Sequence, residues 1–212
     1  MNRRLLTRLL GVLVVGISSL LALPLHAADE TADAFIKRLS TEVLNSIKTD
    51  HSIHAGDVSR IIAFVDAKIM PNVNFQRMVA SAVGPAWRQA TPEQQKRLQD
   101  EFKILLVRTY AGALAQVNDQ TIAVKPMRAA PEDKEVVVRT EIKGRGDPVQ
   151  LDYRLEKTPG EGAGWKIYNL NVMGVWLVET YRSQFAQEIN AKGIDGLIST
   201  VTERNRANAK KG

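Results

Sequence analysis

Beyond the first thirty residues the apolar positions recur at two different periods, and the change of period divides the chain into three regions. Ile36, Leu39, Val43 and Ile47 fall at helical spacing, as do Val58, Ile61, Ile62, Val65 and Ile69. The polar stretch His51 to Gly56 reads as the joint between these two helices. Pro71 cannot continue a helix and ends the second one. A short third helix is expected from about Phe75 to Val83, broken by Gly84-Pro85.

The clearest helix start is Thr91-Pro92-Glu93-Gln94. Thr91 can cap, Pro92 suits the first helical position, and Gln94 can complete a capping box. The long helix that follows carries an apolar stripe of Leu98, Phe102, Leu105, Leu106, Ala113, Leu114 and Val117, leaving Gln95, Lys96, Lys103 and Arg108 for water.

The middle region alternates at period two. Val149, Leu151, Tyr153 and Leu155 share one face while Gln150, Asp152, Arg154 and Glu156 share the other, the mark of a strand buried on one side. Val136, Val138 and Ile142 form a similar set. Turn-forming stretches at 130–133, 144–147 and 159–164 separate four antiparallel strands, expected at about 120–127, 134–143, 148–157 and 164–173. In the last strand the apolar phase flips: Trp165 and Ile167 lie on one face, Leu170 and Val172 on the other. Either a bulge re-aims the chain or both faces are covered, and both options suit a strongly curved sheet wrapped around helices. Gly174 is then expected to open a helix with the stripe Val175, Val178, Tyr181, Phe185 and Ile189, and a second helix follows Gly193.

The N-terminus bears on compartment. Arg3, Arg4 and Arg8 precede an apolar run from Leu9 to Leu23, and small residues follow at Ala27 and Ala28, so residues 1–27 read as a secretory leader cleaved after Ala27. The run is short and interrupted for a membrane span. There is no cysteine, hence no disulfide and no cysteine-borne lipid anchor, which suits a soluble bacterial periplasmic protein. Residues 28–205 are expected to form one domain: helices at about 31–118, strands at about 120–173, and helices at about 174–205. A disordered tail at 206–212 completes the chain.

Removing three of the 29 basic residues with the leader, and none of the 23 acidic ones, lowers the formal charge from +6 to +3. The basic residues are spread among acids, and aromatic content is 6%, so no nucleic-acid surface is expected. Catalytic constellations are equally thin. The sequence has no Gly-x-Ser-x-Gly elbow. His51 and His54 have no third ligand of the right type nearby, so no metal site is expected. The glycines at 160, 162 and 164 join two strands and belong to a hairpin, and Asp152 and Glu156 sit on a charge-alternating, water-facing strand face. Trp176 stands apart, because helical geometry aims it away from the apolar stripe, beside Val175 and Leu177.

Together these segments resemble the MlaC family of periplasmic phospholipid-binding proteins, also described as toluene-tolerance or organic-solvent-tolerance proteins. The resemblance rests on Ile69-Met70-Pro71 through Asn74-Phe75, on Ala90-Thr91-Pro92-Glu93-Gln94 opening a helix with Phe102 and Thr109-Tyr110-Ala111, and on Trp165-Lys166-Ile167-Tyr168. It rests also on Gly174-Val175 and above all on Lys192-Gly193-Ile194-Asp195-Gly196-Leu197. It implies an α+β fold, a curved four-stranded antiparallel sheet (nuclear-transport-factor-like) packed by several helices around an apolar cavity that takes the tails of a glycerophospholipid.

It further implies a monomeric periplasmic lipid carrier, not an enzyme, needing no cofactor besides its bound phospholipid. The partners implied are an inner-membrane ABC transporter complex and an outer-membrane lipoprotein associated with a porin, in a system that maintains outer-membrane lipid asymmetry. The other reading is a periplasmic binding protein that feeds another apolar or small solute to an ABC transporter. Candidate cavity residues are Val65, Ile69, Val73, Met78, Phe102, Leu106, Tyr110, Val138, Leu151, Tyr153, Val172, Val175 and Trp176. Lys68, Arg88 and Arg108 flank apolar stripes as candidate headgroup cations.

Overall fold

A computed structural model describes residues 30–130 and 132–209, and the expected leader lies outside the described residues. Three helices lead in: α1 (Ala32–Lys48), the short α2 (His51–His54) and α3 (Val58–Phe64). The stretch expected as a polar joint is therefore partly helical. Asp50 makes this possible, because its side chain accepts hydrogen bonds from the backbone N–H groups of Ser52 and Ile53. After Phe64 the helix widens into a π-turn over Val65–Ile69, with the Met70 N–H donating to the Val65 carbonyl, and then tightens into a 3-10 turn over Met70–Asn72. Pro71 explains the irregularity, since in a regular helix its ring would clash with the carbonyl four residues back.

Helix α4 (Phe75–Val83) and a 3-10 turn (Gly84–Gln89) lead to the long α5 (Pro92–Ala115). Its capping box forms as the sequence predicts: Thr91 Oγ1 accepts from the Gln94 N–H at 3.2 Å, and Gln94 Oε1 accepts from the Thr91 N–H at 2.9 Å. The chain then builds β1 (Thr121–Val124), β2 (Glu135–Lys143), β3 (Val149–Lys157), β4 (Trp165–Val172) and β5 (Val175–Trp176), and ends in α6 (Leu177–Ala209).

The sheet is an antiparallel meander in the order β1-β2-β3-β4-β5, one strand more than expected. The fifth strand comes from Val175 and Trp176, which sequence periodicity assigns to a helix. Met173 at φ 52° and Gly174 at φ 88° make a two-residue turn that folds Val175 back onto Val172, and α6 starts only at Leu177. The phase flip in β4 is a bulge. Leu155 pairs with Ile167 and Arg154 with Asn169, so Tyr168 is the extra residue, and Trp165, Ile167, Leu170 and Val172 all return to the inner face.

Gly193 breaks α6 into two helices, at φ 69° and ψ −171°, a conformation open essentially to glycine alone. Helix continues through Ala209, so residues 206–209, expected in a disordered tail, are helical, and residues 210–212 lie outside the described residues.

The interior is three apolar clusters, not one. The first gathers α4, α5 and α6 around Phe102, which stacks on Phe75 and meets Tyr181 and Phe185 edge to face. The second packs Phe35, Ile36 and Leu39 of α1 against Val136, Val138, Tyr153, Leu155, Trp165 and Ile167 of the sheet. The third joins the end of α1 to α2, α3 and the C-terminal half of α5 through Ile47, Ile53, Ile61, Phe64, Val107 and Ala111. Val73 and Leu170 touch the first two clusters, Met70 the first and third, and Val43 the second and third.

Candidate functional site

Strand pairing defines an inner sheet face of Val136, Val138, Thr140 and Ile142 on β2, Leu155, Tyr153, Leu151 and Val149 on β3, and Ile167, Leu170 and Val172 on β4. Burial along this face is graded. Val138 and Leu155 are wholly buried under α1, while at the other end Leu151, Leu170 and Val172 are only partly covered, and Val149 and Val175 are 38% and 51% exposed.

In the second half of β4 the usual relation between polarity and burial is inverted. The apolar Leu170 and Val172 are half-open, while Asn169 and Asn171 on the outer face are buried. The asparagines can be buried because they are hydrogen-bonded. Asn169 Oδ1 accepts from the Val178 N–H, its Nδ2 donates to Glu179, and Asn171 Oδ1 accepts from the Gly174 N–H. The result is an apolar seam in which Leu170 and Val172 of β4 share the first cluster with partly buried Met70, Leu106 and Tyr110, and whose exposure rises towards the β4–β5 turn.

The sequence-predicted residues divide over this geometry. Ile69, Val73, Leu106, Tyr110, Leu151 and Val172 are partly buried at the edges of the clusters, Val73 touching two of them, and Val175 stands exposed after the β4–β5 turn. Val65, Met78, Phe102, Val138 and Tyr153 are buried inside the clusters, behind the seam. Trp176 leaves the set. It pairs with Asn171 and so faces the outside of the sheet, where it lies under the Arg154 guanidinium. Leu170 and Met70, which sequence reasoning missed, bridge two clusters each. Leu170 was hidden by the bulge, and Met70 by the π-turn.

Polar groups nearby are structurally occupied. The Tyr153 hydroxyl lies 3.2 Å from Ser40 Oγ, and burial pushes its pKa up to about 12. Asp152, on the outer face, accepts from Gln150 Nε2 and the Thr140 N–H. Glu156 is held by Asn74 and by Arg77, whose guanidinium also reaches Glu135 and stacks on Tyr168 at 3.7 Å. His54 Nδ1 sits 3.1 Å from the Ala115 carbonyl oxygen, and among the described residues no group of three or more His, Cys, Asp or Glu gathers to hold a metal ion.

Of the candidate headgroup cations, Lys68 lines a polar crevice of about 620 Å³ between α1, α2 and α3, alongside Asp50, His51 and Arg60. Arg88 is exposed on the 3-10 turn, and Arg108 is half-buried with its Nε lacking a hydrogen-bond partner. A second crevice, of about 210 Å³, lies between α5 and α6 and includes Tyr110 and Tyr181.

The family model described as MlaC protein matches residues 37–203, which reaches from within α1 to within α6. The chain belongs to the MlaC family. Among curated relatives of this MlaC chain, toluene tolerance protein ttg2D of Pseudomonas putida is 29% identical over 206 residues, covering 93% of this chain and 92% of that protein. The intermembrane phospholipid transport system binding protein MlaC of Haemophilus influenzae is 21% identical over 178 residues, covering 83% of each. A solved phospholipid-binding protein from Ralstonia solanacearum, in complex with a phospholipid, superposes with a TM-score of 0.81 at 48% identity, covering 85% of this chain and 99% of that one. The α+β fold of this MlaC member, a curled antiparallel sheet packed by helices, is therefore shared with a lipid-bound structure.

Proposed function

We propose that this protein is a periplasmic phospholipid carrier whose acyl-chain site is the seam where its three apolar clusters meet. The observation that carries the proposal is the inverted burial on β4, where Leu170 and Val172 are left half-open on the inner face while polar neighbours are buried. Apolar side chains that face inward yet remain accessible are what line a pocket for hydrocarbon. The lipid-bound Ralstonia protein, at 48% identity, supports the same reading.

In this reading the tails lie against Ile69, Val73, Leu106, Tyr110, Leu151 and Val172, with Val175 at the entrance. Val65, Met78, Phe102, Val138 and Tyr153 back the wall from inside the clusters. Residues 28–205 form the lipid-binding unit, delivered by a leader cleaved after Ala27. At about 0.8 kcal/mol per methylene, two tails with some thirty methylenes would cost more than about 20 kcal/mol to expose to water, so a carrier that keeps them covered removes the main barrier to crossing the periplasm. Transfer from bilayer to seam is then close to thermoneutral, and direction comes from partners: an inner-membrane ABC transporter complex and an outer-membrane lipoprotein with its porin. Outer-membrane lipid asymmetry is the property such a shuttle maintains. Nothing in this cycle requires a nucleophile, metal or nucleotide on the carrier.

Protein purified from the periplasm without detergent is expected to release phospholipid on organic extraction, detected by mass spectrometry, at about one lipid per chain. Leu106→Trp, which fills the seam, is expected to lower that yield while raising the melting temperature. Extracts free of phospholipid, or holding a different solute, would overturn the proposal.

A further inference from the structure

The crevice of about 210 Å³ between α5 and α6 has a chemistry unlike that of the seam it adjoins. Tyr110, Tyr181, Gln184, Arg204 and Asn208 are among the residues that line it, with Gln184 and Arg204 at its exposed rim, and no carboxylate lines it. The Thr180 hydroxyl, also at the wall, donates to the Trp176 carbonyl. Among the described residues the Tyr110 and Tyr181 hydroxyls have no hydrogen-bond partner, and Arg204 has no ion-pair partner, only Gln184 Oε1 at 3.3 Å from its Nη1. The crevice therefore offers several unused donors around a single uncompensated cation, the complement of an anion with several acceptor oxygens.

Its position gives that anion a context. Tyr110 packs on the same cluster as Leu106, Leu170 and Val172, so one wall residue is common to crevice and seam. Thr180 and Gln184 lie in the first turns of α6, just after β5 and the exposed Val175. The two tyrosine rings are close enough that Tyr181 adds to the burial that raises the Tyr110 pKa.

We propose that this crevice is a phosphate subsite that holds the phosphodiester of the carried lipid through Arg204, Tyr181 and Tyr110. The assignment rests on the carrier reading above and deepens it: tails in the seam, phosphate one residue away on the helix side. It predicts that the protein discriminates lipids by the presence of phosphate and is indifferent to the group beyond it, because donors converge on one small crevice.

The test uses protein stripped of lipid and loaded with diphenylhexatriene, a neutral hydrocarbon probe, which is displaced by either dioctanoylphosphatidylglycerol or dioctanoylglycerol. The wild type is expected to favour the phosphate-bearing lipid about tenfold, the size of one charge-assisted hydrogen bond. Arg204→Gln and Tyr181→Phe are expected to bring the ratio close to one without weakening dioctanoylglycerol. Arg145→Gln, an exposed cation paired with Asp119 in the β2–β3 turn, is expected to keep it. Equal displacement by both lipids, or a ratio unchanged in Arg204→Gln, overturns the subsite and leaves the carrier standing. Displacement by neither overturns both. A melting-temperature rise with inorganic phosphate alone, lost in Arg204→Gln and without any lipid preference, assigns the crevice to free phosphate and overturns the headgroup role.

Discussion

The indole of Trp176 lies under the guanidinium of Arg154, whose Cζ stands 4.0 Å from the ring centroid, and the same guanidinium forms an ion pair with Glu179. Trp176 thus joins β5 to β3 and to the first turn of α6 on the outer face of the sheet. Trp176→Ala is expected to destabilise the fold by about 1–2 kcal/mol through the lost cation–π contact and packing. Its bound-lipid yield should equal that of the wild type. Urea denaturation and lipid extraction of the same preparation check both halves.

Acid should loosen the outer-face network. The Arg77 guanidinium and the Tyr168 hydroxyl hold the Glu135 carboxylate below its ordinary value of 4.5. A carboxylate with a depressed folded-state pKa contributes stability at pH above its unfolded value, and that contribution is lost as pH falls through the folded one. The melting temperature of the wild type should therefore drop on acidification below about pH 4.5. In Glu135→Gln the drop should be shallower. Thermal melts across pH 3 to 7 test this.

Tyr153 gives a spectroscopic prediction. Its hydroxyl is buried beside Ser40, and its pKa is raised to about 12 by that burial. Absorbance at 295 nm during alkaline titration should show one of the four tyrosines ionising only as the protein unfolds. Tyr153→Phe should remove that late step.

The break in α6 sets a backbone prediction. Gly193 occupies a glycine-only conformation, so Gly193→Ala should cost about 1–3 kcal/mol by denaturant titration. Gly196→Ala should be comparably damaging, because a Cβ there would lie 2.1 Å from the Lys192 Cβ. The kink also presents Asp195 to Gln94 Nε2 at 2.8 Å, tying the break in α6 to the cap of α5.

Much of this architecture is legible in the order of residues. The capping box at Thr91, the alternation of β2 and β3, and the helix break at Gly193 all rest on local signals, and each forms where those signals lie. The phase flip in β4 announced an irregularity, and Tyr168 supplies it. Local reading failed at residues 175–176, because a two-residue strand has no periodicity of its own and exists only through pairing with Asn171 and Val172. The same limit applies to the site. A buried core and a wall for a hydrocarbon guest would share one apolar pattern, so Phe102 and Leu106 look alike in sequence, and only burial, complete for Phe102 and partial for Leu106 on the same cluster, separates them. Leu170 sits on the wrong face of a regular strand, and the bulge returns it to the seam.

Beyond Leu170 β4 has β5 as a neighbour, and earlier in the strand the chain leading into α4 meets its margin. There Val73 forms a parallel bridge to Ile167, and the Asn74 N–H donates to the Ile167 carbonyl at 2.8 Å. A bare strand margin is a template for another molecule's strand. The turn leading into α4 acts as a stopper on that part of the template, since the Ile167 carbonyl is already taken and no incoming strand can claim it.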